Sequence, residues 1–168
     1  MKFNNYLLPG LLAGFSAGIL SSIPGLKNIC CCLVVPLGAF FAVYLFKKST
    51  NSVNVQFRYA ALMGLLTGVF AALFTTSFEV LFTLLTHTND FVESLPQTEI
   101  AVKGWNLGPL FDNTFVLMKQ MSKEITTYGF SLFYTLAILF SNLIVDTVFG
   151  FSGALAAKYY FNRRTVQK

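Results

Sequence analysis

The sequence predicts an all-α integral membrane protein: four transmembrane helices arranged as two parallel repeated hairpins, with an external amphipathic segment. Composition is the first reason. Of 168 residues, 55% are hydrophobic and 11% charged, and the mean hydropathy of +0.63 lies outside the usual soluble range. The second reason is run length. A hydrocarbon core about 30 Å thick needs roughly 20 apolar residues per helix, and four segments qualify: Leu7–Leu26, Ile29–Phe46, Tyr59–Leu85 and Phe130–Phe161. The third is repetition. Gly10-Leu11-Leu12-Ala13-Gly14 returns as Gly64-Leu65-Leu66-Thr67-Gly68, and the stretch Gly38 to Lys48 returns as Gly153 to Arg163, with Gly-Ala, a second Ala, Tyr, Phe and a closing base in register.

Residues 1–168 read as a single membrane domain. Hairpin repeat 1 covers 7–46, a cytoplasmic linker 47–58, and hairpin repeat 2 covers 59–161 with an external insertion at 87–129. The first segment is expected to be retained. Its head carries only Lys2, no small-x-small cleavage site follows, and Lys27-Asn28-Ile29 before Cys30 is a poor lipoprotein signal. Pro24-Gly25 closes the first hairpin with a tight turn. The third and fourth segments run for about 40 Å or more at 1.5 Å per residue, so they must tilt or project beyond the lipid.

The insertion divides in two. His87 to Gly108 is polar, with Pro96 and a Gly104-Trp105 step. Pro109 to Tyr128 reads as an amphipathic helix. Leu110, Leu117, Met121 and Ile125 recur near helical spacing, opposite Asp112, Lys119, Gln120, Lys123 and Glu124. Such a helix lies on the outer membrane surface, caps the bundle, docks a partner, or extends the fourth helix outward. Gly129 marks a break before that helix.

Basic residues set the orientation. Lys2, Lys47, Lys48, Arg58, Lys158, Arg163, Arg164 and Lys168 fall on one side of the four-helix topology, eight of the twelve bases. Both termini are therefore expected in the cytoplasm of a bacterium, with the chain in its inner membrane and the 87–129 connection outside. The net charge of +5 reflects this anchoring and gives no argument for nucleic acid. Since both hairpins then enter from the cytoplasm, the repeats are expected to be related by a pseudo-twofold axis along the membrane normal.

Small residues recur along one face of three helices. Gly10, Gly14 and Gly18 are followed by Ser21, Ser22 and Gly25; Gly64 and Gly68 by Ala72, Thr75 and Glu79; and Asn142 and Asp146 by Gly150, Gly153 and Ala157. Lipid provides little hydrophobic drive between helices, so faces that let backbones approach closely hold a bundle together. These rows read as helix-packing seams.

Glu79 and Asp146 are the two acids within apolar runs. An Asp at the bilayer centre costs about 2.5–3.5 kcal/mol, whereas a Leu returns only about 0.3–0.6, so Asp146 should face protein or water. Counted from the cytoplasmic ends, Glu79 lies about 31 Å up its helix and Asp146 roughly 21 Å up its own. Two readings follow. Asp146, Asn142 and Glu79 form a candidate intramembrane polar site responsive to protons or cations, or Asp146 and Asn142 are interhelical hydrogen-bond glue and Glu79 caps a helix end. The second is the leading expectation, because no intramembrane Lys or Arg pairs with these acids.

Other reactive residues read as structural. Cys30, Cys31 and Cys32 point about 100° apart on a helix and have no second cysteine pair, which is poor metal geometry. His87, the single histidine, reads as a solvated loop residue. No phosphate-binding loop, Gly-x-Ser-x-Gly, His-Glu-x-x-His, zinc or haem motif occurs. No catalytic residue, metal site or cofactor is expected.

The plan resembles a class of small, uncharacterised bacterial four-helix membrane proteins, Bacteroidetes-like and grouped as a domain of unknown function. The resemblance rests on the Gly10-to-Gly18 hairpin, the Lys47-Lys48 turn, the Pro109–Tyr128 segment and Phe149-Gly150-Phe151-Ser152-Gly153-Ala154 through Arg163-Arg164. It implies an architecture and no catalytic residues. The functional expectation is a non-enzymatic accessory or scaffold subunit acting through helix packing, in a homo-oligomer or a larger membrane complex. Its partners would be the lipid bilayer and other membrane chains or itself. The alternative is a small transporter or channel with a site around Asp146.

Overall fold

The computed structural model describes residues 4–22, 27–50, 54–103 and 109–166. Six helices and no strands occur among them: α1 (Asn4–Ser21), α2 (Lys27–Thr50), α3 (Phe57–Thr86), α4 (Asp90–Lys103), α5 (Pro109–Tyr128) and α6 (Leu132–Val166). Three of them contain stretches long and apolar enough to cross a membrane: Leu33–Thr50, Phe57–Thr86 and Leu132–Arg163. The apolar part of α1, Leu7–Ser21, is shorter. The first-hairpin turn and the 51–53 and 104–108 stretches lie outside the described residues.

The chain forms two compact units. Unit 1 comprises Met1–Phe78 and Leu139–Lys168; unit 2 comprises Glu79–Ile138.

Glycines bring the helices of unit 1 into backbone contact. A β-carbon placed on Gly14 would lie 2.5 Å from Phe70 Cβ, and one on Gly18 2.6 Å from Phe74 Cβ. Gly10 meets Leu66 in the same way. So α1 lies on α3, and both run in the same direction. On α3, Gly64 meets the Gly150 carbonyl and Gly68 the Asp146 carbonyl, each from α6. On α6, Gly153 sits against the Pro36 backbone of α2, and on α2 Gly38 sits 3.3 Å, measured from such a β-carbon, from the Ala13 carbonyl of α1. Each helix therefore presents glycine to the next, in the order α1, α3, α6, α2 and back to α1. The core between them is small and rich in alanine: Ala13, Ala39, Ala42, Ala60, Ala154 and Ala157, with Val43, Met63 and Phe46.

This order bears on the expected twofold axis. Such an axis through four packed helices exchanges diagonal partners. Here the helices of corresponding sequence, α1 with α3 and α2 with α6, are neighbours. Corresponding glycines also meet different surfaces: Gly14 faces α3, while Gly68 faces α6. The similar hairpins lie side by side, and a central twofold does not relate them.

Ring contacts and one amide tie together the end of unit 1 where α2 and α6 finish. Phe161 packs on Phe40 and Tyr44, with centroids 5.2 and 6.0 Å apart, and Lys47 lies over the Phe161 ring. Asn162 accepts a hydrogen bond from the Val55 N–H at 2.9 Å and donates one to the Val55 carbonyl at 3.1 Å. Both backbone groups of the linker residue are thereby satisfied, as burial requires.

Unit 2 is organised by helix caps. His87 (φ 56°) and Gly129 (φ 70°) adopt the left-handed conformation just past α3 and α5, donating their N–H groups to the carbonyls of Thr83 and Ile125, which closes the last helical turn. Asn89 caps α4 by accepting from the Val92 N–H at 3.0 Å, and Asp90 and Glu93 complement the positive end of that helix. The sequence reading took this stretch as a polar loop; α4 forms within it and includes Pro96. The helix expected over Pro109–Tyr128 is present as α5, and it ends at Gly129 before α6 begins. Lys119 on α5 pairs with Glu99 on α4 at 2.7 Å.

Candidate functional site

Asp146 is 4% exposed. It sits on α6 where the backbone passes closest to α3: a β-carbon on Gly68 would lie 2.5 Å from the Asp146 carbonyl oxygen and 2.6 Å from Thr147 Cα. Gly68 and Gly150 admit this approach. Its carboxyl group has no hydrogen-bond partner among the described residues. One turn away, Asn142 donates from Nδ2 to Thr76 Oγ1 at 3.1 Å, an interhelical bond between α6 and α3.

Glu79 belongs to unit 2 and has its own neighbour there. At 9% exposure, it accepts a 2.7 Å hydrogen bond from the Tyr134 hydroxyl. Its carbonyl accepts from Thr83 Oγ1. Tyr134 in turn packs on Phe91, centroids 5.1 Å apart. Of the expected trio, Asn142 and Asp146 share one helical face within unit 1, and Glu79 bonds to Tyr134 in unit 2.

Of three buried hydroxyls, the sequence reading places Ser21 and Thr75 in packing rows and Thr67 only in the repeated motif. Ser21 Oγ on α1 and Thr67 Oγ1 and Thr75 Oγ1 on α3 make no hydrogen bond among the described residues. Hydroxyls on helices ordinarily bond back to the i−4 carbonyl, as Ser16, Ser22 and Ser77 do. The sequence signal was present, since Ser21 and Thr75 continue the two glycine rows and Thr67 lies inside a repeated motif. Polarity on those rows was masked by their small size. With Asp146, these groups give the interior of unit 1 four oxygen-bearing side chains without a described partner.

Outside the apolar spans, Glu124 is the ionisable group whose surroundings act on it most clearly. The Ser131 hydroxyl, donating at 2.7 Å, and then the Gln120 amide at 3.0 Å hold its carboxyl below the usual carboxylate range. Ser131 is also the cap of α6, its carbonyl accepting from the Thr135 N–H. His87 is exposed, and its role in the backbone is the left-handed turn. The side chains of Cys30, Cys31 and Cys32 lie outside the described residues. Among those described, no three His, Cys, Asp or Glu converge to hold a metal ion.

Comparison with known proteins gives no further constraint: no family model matches this chain, and neither a curated protein nor a solved structure matches it.

Proposed function

We propose that this chain is a multi-pass protein of the bacterial inner membrane, with both termini in the cytoplasm. It acts without catalysis, as an accessory or scaffold subunit of a homo-oligomer or larger membrane complex. One observation carries the reading. The interior of unit 1 is closed by backbone contact at Gly14, Gly18, Gly64, Gly68, Gly150 and Gly153, while the outward faces stay apolar and open. The most apolar 18-residue stretch within Leu132–Arg163 is only 6% buried. A closed interior with an apolar exterior is suited to hold its place among lipids and other helices. The architectural resemblance to small uncharacterised bacterial membrane proteins belongs to this reading, and so does descent of the two hairpins from one duplicated unit.

A second reading has its own support. A carboxyl group buried in an apolar span marks a functional site by default, and Asp146 is buried without a described partner. It would make the chain a small proton- or cation-responsive transporter. Reconstituted vesicles separate the two. Under the scaffold reading, wild-type protein shows no proton or cation flux above empty vesicles, and Asp146→Asn assembles like wild type because it keeps the shape and most of the hydrogen bonding. Flux in wild type that disappears in folded Asp146→Asn overturns the scaffold reading.

A further inference from the structure

We propose that unit 1 binds an anionic phospholipid in the cleft between the start of α3 and the end of α6. The inference rests on these helices spanning a membrane and is independent of the scaffold role. The cleft has a volume of about 520 Å³ and is lined by Phe57, Leu155, Lys158, Tyr159, Asn162 and Arg163. The five α6 residues recur at i, i+3, i+4, i+7 and i+8, which places them on one helical face.

Its chemistry is that of an amphiphile with a negative head. Leu155, Phe57 and Tyr159 supply apolar wall, and the two rings are 52% and 66% exposed. Lys158 Nζ lies 5.5 Å from the Phe57 centroid and the Arg163 guanidinium 5.5 Å from the Tyr159 centroid. Both charges thus lie over ring faces at cation–π distance, beside the mouth of an apolar wall. Asn162 contributes rigidity, because both ends of its amide are committed to Val55.

No acidic side chain of unit 1 lies beside these charges. The single acid in its sequence is Asp146, twelve residues before Lys158 and so about 18 Å away along the helix. The neutralising group has to come from outside the unit. Its source follows from depth. Leu155 to Arg163 close the span Leu132–Arg163, and Phe57 opens the span Phe57–Thr86. A site made from the ends of two spans faces the lipid interface, where a headgroup phosphate meets the bases and an acyl chain lies on Phe57 and Leu155. Basic pockets between transmembrane helices bind acidic headgroups on this principle.

Native mass spectrometry of the full chain in neutral detergent, titrated with phosphatidylglycerol or phosphatidylcholine, tests the site. Wild type is expected to retain phosphatidylglycerol in preference to phosphatidylcholine. Lys158→Gln with Arg163→Gln should lower that preference by about an order of magnitude or more, from the roughly 1 kcal/mol attributed to each base near a charged surface. The swap Lys158→Arg with Arg163→Lys should keep it, as should the control Lys119→Gln with Lys123→Gln in unit 2. If the double Gln variant unfolds, the single variants serve, each losing about fivefold. Equal retention of both lipids by wild type overturns the proposal. So does an unchanged preference in the folded Gln variants, or displacement of the lipid by inorganic phosphate at equal concentration. None of these results alters the flux experiment, so failure here and failure of the scaffold reading are distinguishable.

Discussion

Unit 1 and unit 2 hold their helices together with a different balance of contacts. In unit 1 the closest approaches of one helix to another are at glycines, with the Asn142–Thr76 bond and the Phe161 ring contacts beside them. In unit 2 polar side chains link successive elements, Lys119 to Glu99, Ser131 to Glu124 and Tyr134 to Glu79, and Asn89 caps α4. The charges divide likewise. Unit 1 carries nine of the twelve bases and one of the seven acids; unit 2 carries three bases and six acids. The contrast teaches that one chain can use two kinds of adhesion. Where water competes for hydrogen bonds, an exposed ion pair adds only about 0–1 kcal/mol, and many weak links are used together. Where lipid surrounds the helices, hydrophobic burial gives no preference for protein over tail, and close contact becomes the available source of attraction.

The sharpest way to break the comparison is to add bulk at one glycine in each unit. Gly68→Leu drives a side chain into the Asp146 and Thr147 backbone, and should destabilise by the full 1–3 kcal/mol of overpacking or more. Gly129→Ala faces Leu84 backbone atoms at 3.0 Å and a φ of 70°, and should lose about 1–2 kcal/mol for the left-handed conformation alone. Denaturant unfolding in detergent, with hydrogen exchange assigning the loss to a unit, measures both. Equal losses would erase the distinction between seam and cap.

A smaller effect compares two asparagines. Asn162→Ala strands both backbone groups of Val55, which is 1% exposed, and should lose about 1–3 kcal/mol. Asn89→Ala removes a half-buried helix cap and should lose about 1 kcal/mol. Thermal melts of the two variants rank them, and a larger loss for Asn89→Ala would show that the linker clamp is idle.

The smallest expected effect is a response to acid confined to unit 2. Glu124 has a folded pKa depressed below its ordinary value of 4.5. Its stabilising contribution is therefore complete above about pH 4.5 and is lost as pH falls through the lower folded value. Exchange protection at the α5–α6 junction should weaken below that pH while α1 and α2, which contain no acid, stay unchanged. Ser131→Ala should flatten the response. A junction indifferent to pH would remove Glu124 from the account.

Much of the architecture was legible, for stateable reasons. Run length and periodicity depend on local sequence, so the helices, the α5 boundaries and the break at Gly129 could be read directly. The small-residue rows located the faces of α1, α3 and α6. They could not name the helix each face meets, because periodicity fixes a direction around a helix axis and says nothing about its neighbour. That is why the twofold was expected and the side-by-side order was not. Helix α4 was missed because Pro96 and a low apolar content weighed against it; the Asn89 cap with Asp90 and Glu93 was the signal that counted for it. The candidate site was legible only in part. Asn142 and Asp146 share a face by spacing, but that Thr76 pairs with Asn142, or Tyr134 with Glu79, depends on which residues stand opposite, 66 and 55 positions away.

The contact between α3 and α6 has a mechanical consequence. At Gly64 and Gly150 each helix points the hydrogen that replaces a β-carbon at the other's carbonyl oxygen, 2.7 and 2.6 Å from where that carbon would be. Gly68 repeats the meeting one turn along. Such reciprocal C–H···O contacts contribute about 0.5–1 kcal/mol each, and their spacing matters more than their strength. They act as gear teeth cut at the helical pitch. A slide by part of a turn would carry Leu65, Leu66 or Phe149 into backbone that only glycine can approach. Within unit 1 Gly64, Gly68 and Gly150 therefore lock the register of α3 against α6.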